Sequence, residues 1–296
     1  MQNYDCRSSK AFRAIVKLAV LIMGVILLYS VITRYSGPGV IKGVIWQPTN
    51  DYPEPEGNWH LLGADTLLVQ WSLNDGLSWI MGSGFDSQPF VPDWSVLLEN
   101  PWAQQLILGL ASNMKLEEAR ANSALLADQS RSLAQKLNDQ LPIIGWYAPI
   151  EISPDWNSPN SREDYLAALP RPLYISVYGG YEMTPQDFAS WVASWSPDDT
   201  QILLQDGVGA AGQTPQQARA RADALGAILG THRVIMIMEA FQPDTEDGFH
   251  AAGLSQMINQ IWAYEGLEVY VFSARYLGRL RVLFLYLISP WLKGQN

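Results

Sequence analysis

The sequence predicts an α/β protein, a closed (β/α)8 TIM barrel preceded by an N-terminal transmembrane signal-anchor helix. Three observations predict it. First, eight apolar runs of strand length follow one another at 40–47, 66–73, 104–111, 143–152, 173–178, 201–205, 233–239 and 267–274, and eight is the count that closes a parallel barrel. Second, the runs are hydrophobic almost without interruption, as strands buried on both faces must be, and they alternate with segments of helical character. Third, the chain opens with a basic stretch followed by an apolar one of membrane-spanning proportions. The expected division is 1–36 for tail and anchor, with the span at about 14–33, and 37–296 for the barrel.

At the N-terminus, Arg7, Lys10, Arg13 and Lys17 precede an apolar run over 18–32, which extends back to Ala14 if Lys17 snorkels to the headgroups. No small-x-small cleavage pattern follows it, so an uncleaved anchor is expected rather than a removed signal peptide. Cations on the N-terminal side hold that end in the cytoplasm and place everything after Tyr35 across the membrane.

The first crossover, 57–64, is short. Between the second and third strands, 74–101 is rich in glycine and aromatics (Trp79, Phe85, Phe90, Trp94) and too long for an ordinary βα loop. It is either a substrate-binding wall over the barrel mouth or a surface loop packed on itself. The segment 116–140 is the longest and most polar and is expected to cover the barrel with Leu125, Leu126, Leu133 and Leu137 turned inward. Thr184-Pro185 with Asp187, and Thr214-Pro215, are helix starts: a capping hydroxyl before a proline at the first helical position. The apolar stretch near the C-terminus, VLFLYLISPWL, is too short to span a bilayer and is expected to be the eighth barrel helix.

Composition excludes several functions. The net charge is -10 with a pI near 4.7, and the part beyond residue 36 is more acidic still, with 14 cations against 28 anions. Nucleic acid is therefore not an expected partner, since phosphate binding needs clustered Lys and Arg. The single cysteine, Cys6, rules out an internal disulfide or a thiolate cluster. His60, His232 and His250 have no paired ligand spacing, so no metal is expected, and no cofactor. There is no GxSxG elbow. The chain does hold twelve Trp and thirteen Tyr, a surplus of flat aromatic faces suited to sugar rings and equally to barrel packing.

The candidate chemistry lies at two strand ends. GWYAPIEIS closes on Glu151 and HRVIMIMEAFQP on Glu239. In a barrel the C-terminal ends of strands four and seven converge on one mouth, and a facing carboxylate pair is the apparatus of glycoside hydrolysis: one carboxyl protonated to expel the leaving oxygen, the other ionised. Trp46, Gln47, Gln70, Trp71, Asp75, Tyr147, Tyr178 and Asp206 also fall at or near strand ends and are candidates to bond hydroxyls or stack on sugars. GVGAAG at 207–212 matches GxGxxG and would suggest a dinucleotide. Against it, the helix begins at Thr214-Pro215 rather than at the third glycine, the acidic residue Glu239 comes too late, and the motif follows the sixth strand.

Taken together, GVIWQP, DTLLVQW, GWYAPIEI, PLYISVY, LLQDGVG and IMEAF, in this order, resemble a family of exported bacterial barrels known as domain of unknown function 4434, related to glycoside hydrolase clan A. The resemblance spans roughly 40–276. It implies Glu151 as acid/base and Glu239 as nucleophile, a polysaccharide or oligosaccharide substrate, a place in the bacterial inner membrane with the barrel on the periplasmic side, and exopolysaccharide assembly proteins as partners. One position departs: Ile150 stands where that clan carries an asparagine that bonds the sugar 2-hydroxyl. The departure supports an alternative, a catalytically inactive glycan-binding or scaffolding barrel.

Overall fold

The computed structural model describes residues 16–17, 20, 22–24, 39–244 and 248–292. Eight strands close into one barrel: β1 (Gly43–Trp46), β2 (Thr66–Val69), β3 (Gln105–Gly109), β4 (Ile143–Ile152), β5 (Leu173–Val177), β6 (Thr200–Gln205), β7 (Val234–Glu239) and β8 (Glu268–Phe272). Each pairs in parallel with its sequence neighbours, and β8 returns to β1. Each expected run therefore coincides with a barrel strand, usually a shorter one, and the sixth strand begins one residue before its run.

Alternation along the strands sorts their side chains. Ile45, Leu68, Ile107, Tyr147, Leu203, Ile235, Ile237 and Tyr270 point inward and fill the barrel, while the intervening residues, such as Val44, Leu67, Leu106, Ile202 and Met236, face the helices and form the larger outer core. Two glycines let tyrosines cross the barrel floor. A Cβ at Gly43 would lie 2.5 Å from the Tyr270 ring, and one at Gly145 would lie 2.4 Å from the Tyr174 ring. Any larger residue there would push a ring out of the packed floor.

Beyond a single turn at Trp94–Leu97 in the insertion, the helices around the barrel are α1 (Leu116–Ala121), α2 (Ser123–Leu137), α3 (Pro159–Ala168), α4 (Pro185–Ala193), α5 (Pro215–Leu229), α6 (Leu254–Ala263) and α7 (Arg279–Leu292). The Thr184 hydroxyl accepts from Asp187 N, and Thr214 forms a reciprocal capping box with Gln217. The first crossover is a single 3-10 turn, Trp59–Leu62, and the apolar C-terminal stretch is the eighth-position helix α7, which packs on that turn.

Three expectations need correction or bounding. The helical segment 116–140 breaks at Asn122 into α1 and α2, and Leu125 is exposed while Leu126, Leu133 and Leu137 are buried. Buried Leu126, Ser130, Leu133 and Leu137 follow the helical period, and Leu125 stands a hundred degrees off that stripe. The 74–101 insertion folds on itself rather than walling the mouth. Its short strands pair with one another and with 111–112, and Trp94 packs against the outward-facing Trp46 at 6.0 Å while donating to Trp79 O. Among the described residues no helix is long and apolar enough to cross a membrane, and the anchor expected at 14–33 falls largely outside them.

Candidate active site

The inward parity that fills the barrel also builds its mouth. Counting two residues beyond the interior positions Ile45, Leu68, Leu203 and Ile237 arrives at Gln47, Gln70, Gln205 and Glu239, and all four line a cavity of about 350 Å³ at the C-terminal ends of the strands. Glu151 joins them from β4, whose pairing with β5 shifts register between Ala148 and Ile152. Trp71, Phe241, Phe249, Phe272 and Tyr276 supply aromatic wall, and Ser112, Asn113, Ser273 and Arg275 supply polar wall. The peptide bond between Phe272 and Ser273 is cis.

Glu239 is 2% exposed. Its Oε2 accepts from Gly209 N at 2.8 Å and Ala210 N at 2.7 Å, so the glycine-rich turn after β6 is a backbone cradle for this carboxylate. That is the structural use of GVGAAG: its amides hold an acid of the protein's own. A Cβ on Gly209 would sit 3.1 Å from Glu239 Oε2 and 2.5 Å from Phe241 O, so glycine is required for the approach. Burial pushes the Glu239 carboxyl up, and the backbone donors oppose that shift by favouring the ionised form.

Behind Glu239 lies Asp206, 1% exposed. Its Oδ1 accepts from Val208 N at 3.0 Å and Glu239 N at 3.3 Å, and its Oδ2 from Gln260 Nε2 at 2.7 Å and Tyr264 OH at 2.8 Å. Gln260 Nε2 also donates to Glu239 O. One carboxylate thus ties the cradle turn, the Glu239 backbone and α6 together. Burial and the neighbouring Glu239 charge push Asp206 up to about 7, against the Val208, Gln260 and Tyr264 donors that pull it down.

Glu151 is half-buried and its Oε1 accepts from Gln205 Nε2 at 2.8 Å. Burial first, and the charge of Glu239 second, push its carboxyl above the usual range, and the Gln205 hydrogen bond works the other way. Arg120 reaches the backbone and not the carboxylate, donating to Glu151 O, Ser153 Oγ and Asp155 Oδ1. The arrangement joins a half-buried carboxyl biased toward its protonated form and a cradled one whose amide partners favour charge.

Of the candidate residues, the cavity gathers Glu151, Glu239, Gln47, Gln70 and Trp71. The other five lie elsewhere. Trp46 faces the outer core and donates to Tyr52 O. Tyr147 belongs to the packed barrel interior, one layer below, and donates to Ser176 Oγ at 2.8 Å. Asp206 braces Glu239 from behind. Asp75 holds a turn at φ 49, accepting from Asn113 Nδ2 and Met114 N, and Tyr178 is half-buried outside the cavity lining. Gln205 was missed in favour of Asp206 next to it, although the parity set by Leu203 marks Gln205 as the inward one. Ser273 and Arg275 follow β8 and carry no sequence signal of their own. Among the described residues no cluster of three or more His, Cys, Asp or Glu could hold a metal ion.

No family model matches the chain, and no curated protein sequence matches it. Among solved structures it is similar to the crystal structure of "a putative alpha-L-fucosidase" from Bacteroides thetaiotaomicron VPI-5482, with a TM-score of 0.58 at 13% identity over 84% of this chain and 94% of that one. A likeness at that identity is one of fold alone, and the shared fold is a (β/α)8 barrel. An HMG-CoA lyase from Brucella melitensis aligns over 70% of this chain and 55% of its own at 18% identity, with a TM-score of 0.26, too low to carry structural equivalence.

Proposed function

We propose that the protein is a glycoside hydrolase or transglycosidase that acts on a polysaccharide through a carboxylate pair, Glu151 as acid/base and Glu239 as nucleophile or base. The observation that carries the proposal is the meeting of these two side chains, 88 positions apart in the sequence, in one cavity where Glu151 accepts one side-chain hydrogen bond and Glu239 two backbone ones. Glycosidic cleavage needs a proton donor for the leaving oxygen and an ionised partner across the anomeric carbon. Glu151, raised by burial and by its neighbour's charge, suits the first role. Glu239, with one oxygen fixed by two amides, suits the second. The aromatic wall would stack on sugar rings.

The cellular setting is part of the proposal. An anchor at 14–33 would hold the barrel on the periplasmic side of a bacterial inner membrane, where exopolysaccharide passes. The likeness of the strand-end segments to domain of unknown function 4434 supports that setting. A second reading, a catalytically inactive glycan-binding or scaffolding barrel, is favoured by Ile150. It is fully buried and offers nothing to a sugar hydroxyl.

Separate Glu151→Gln and Glu239→Gln variants decide between the two. Loss of reducing-end release with glycan affinity retained is the result expected of the enzyme. A wild type that binds glycans but releases nothing from a broad panel of them would establish the binder.

A further inference from the structure

The polar groups of the cavity fall into two sets. Glu151, Gln205 and Glu239, on β4, β6 and β7, are partnered within the protein. Gln70 and Ser273, at the ends of β2 and β8, are 8% and 2% exposed, and Gln70 Oε1 and Ser273 Oγ are buried without a hydrogen-bond partner. Both residues line the cavity. An unsatisfied buried polar atom costs about 1–3 kcal/mol, so two of them on residues that line one cavity point to groups that a ligand completes.

Register places them. Trp46 pairs with Val69, and Ile45 with Phe272, so Gln70 and Ser273 each stand one residue past a paired position on strands flanking β1. Two strand spacings separate them, about 10 Å between backbones, with Gln47 of β1 between. The three form an uncharged arc of polar residues at the ends of β8, β1 and β2, which begins beside Glu239 of β7.

Charge narrows what the arc can take. Arg275 is the one cation among the described residues lining the cavity. It is occupied: Nη2 donates to Asp51 Oδ2 at 3.1 Å and Thr49 Oγ1 at 3.4 Å, and the guanidinium lies over the Tyr52 ring. A sugar carrying a carboxylate, phosphate or sulfate would enter beside Glu151 and Glu239, and the one cation of the lining, Arg275, is already paired through Nη2 with Asp51.

We infer that Gln70 and Ser273 form a hydroxyl-binding subsite for an uncharged sugar residue, and that the cavity excludes uronate, phosphorylated and sulfated glycans. The inference rests on the glycoside reading and adds the substrate class to it.

The test is calorimetric titration of full-length Glu239→Gln protein with cello-, manno- and galacto-oligosaccharides, and with oligogalacturonate and oligomannuronate, alongside reducing-end release by the wild type. At least one neutral series is expected to bind and both uronates to fail. Added Gln70→Met or Ser273→Ala should weaken the neutral ligand about tenfold each, and in the wild-type background raise KM with kcat nearly unchanged. Either variant suffices should the other not fold. Uronate bound or cleaved as well as any neutral glycan would overturn the inference and leave the glycosidase standing. Neutral binding indifferent to both substitutions would overturn the subsite. Failure of every glycan to bind and be cleaved would remove the glycoside reading as well.

Discussion

The two sides of the barrel mouth treat buried polar groups in opposite ways. On the β6–β7 side, Asp206 accepts four hydrogen bonds, Glu239 rests on two amides, and Gln260 and Tyr264 close the network. On the β8–β1–β2 side, Gln70 Oε1 and Ser273 Oγ are equally withdrawn from water and have no partner. The difference separates positioning from reception. Polar networks in which each carboxylate oxygen is met fix one geometry, as holding a reacting carboxylate requires, although Gln260 Oε1 at the back of this network is also without a partner. Groups left open on a rigid strand end suit contact with something that arrives.

The sharpest way to break this contrast is to remove the cradled acid. Glu239→Gln should lower glycan cleavage by about 10³-fold or more, at the upper end of what acid–base and nucleophilic groups contribute, with the fold intact by circular dichroism. Gly209→Ala comes next. Its methyl would lie 2.5 Å from Phe241 O and 3.1 Å from the Glu239 carboxylate, and displacing a reacting group by a fraction of an ångström to one ångström costs about 10²-fold in kcat.

Asp206→Asn acts on stability. An amide placed among four donors leaves some of them unmet, and the expected loss is about 2 kcal/mol by urea denaturation at neutral pH. The pH dependence carries a sign. Native Asp206 keeps its proton up to about 7, whereas its ordinary value is 3.8. Between those values the native state binds more protons than the unfolded one, so stability is highest below about 4 and falls as pH rises toward 7. Glu151 and Glu239 are shifted in the same direction. Melting temperatures taken from pH 4 to 8 should therefore decline, and Asp206→Asn should flatten part of that slope. The smallest effect belongs to the open side: Gln70→Met should change stability by less than about 1 kcal/mol, or raise it, because no hydrogen bond is lost.

Much of this architecture could be read from the residues. The eight runs located the strands, because a parallel barrel needs each strand apolar on both faces. The carboxylates stood out as charges ending such runs. What misled was the period of two at the strand ends: adjacent Trp46 and Gln47, or Gln205 and Asp206, look alike in sequence, yet only the second of the first pair and the first of the second face the cavity. Tyr147 has the inward parity but lies one layer too deep. The glycine-rich turn matched a dinucleotide pattern that its position argued against, and its actual use, holding Glu239, depends on contact between the β6 and β7 ends that only the closed barrel makes. Ser273 lies just past a strand end and became visible only as a buried oxygen without a partner.

The division of labour between the two carboxylates is tested most directly by comparing substrates that do and do not need a proton donor. Aryl glycosides with a good leaving group and the matching natural oligosaccharide would be given to wild type, Glu151→Gln and Glu239→Gln, and the rate of aglycone release measured. Glu151→Gln should keep much of its first-step rate on the aryl glycoside while losing about 10²–10⁴-fold on the oligosaccharide, and Glu239→Gln should be inactive on both. Equal losses by Glu151→Gln on the two substrates, or wild-type rates in either variant, would contradict the pair.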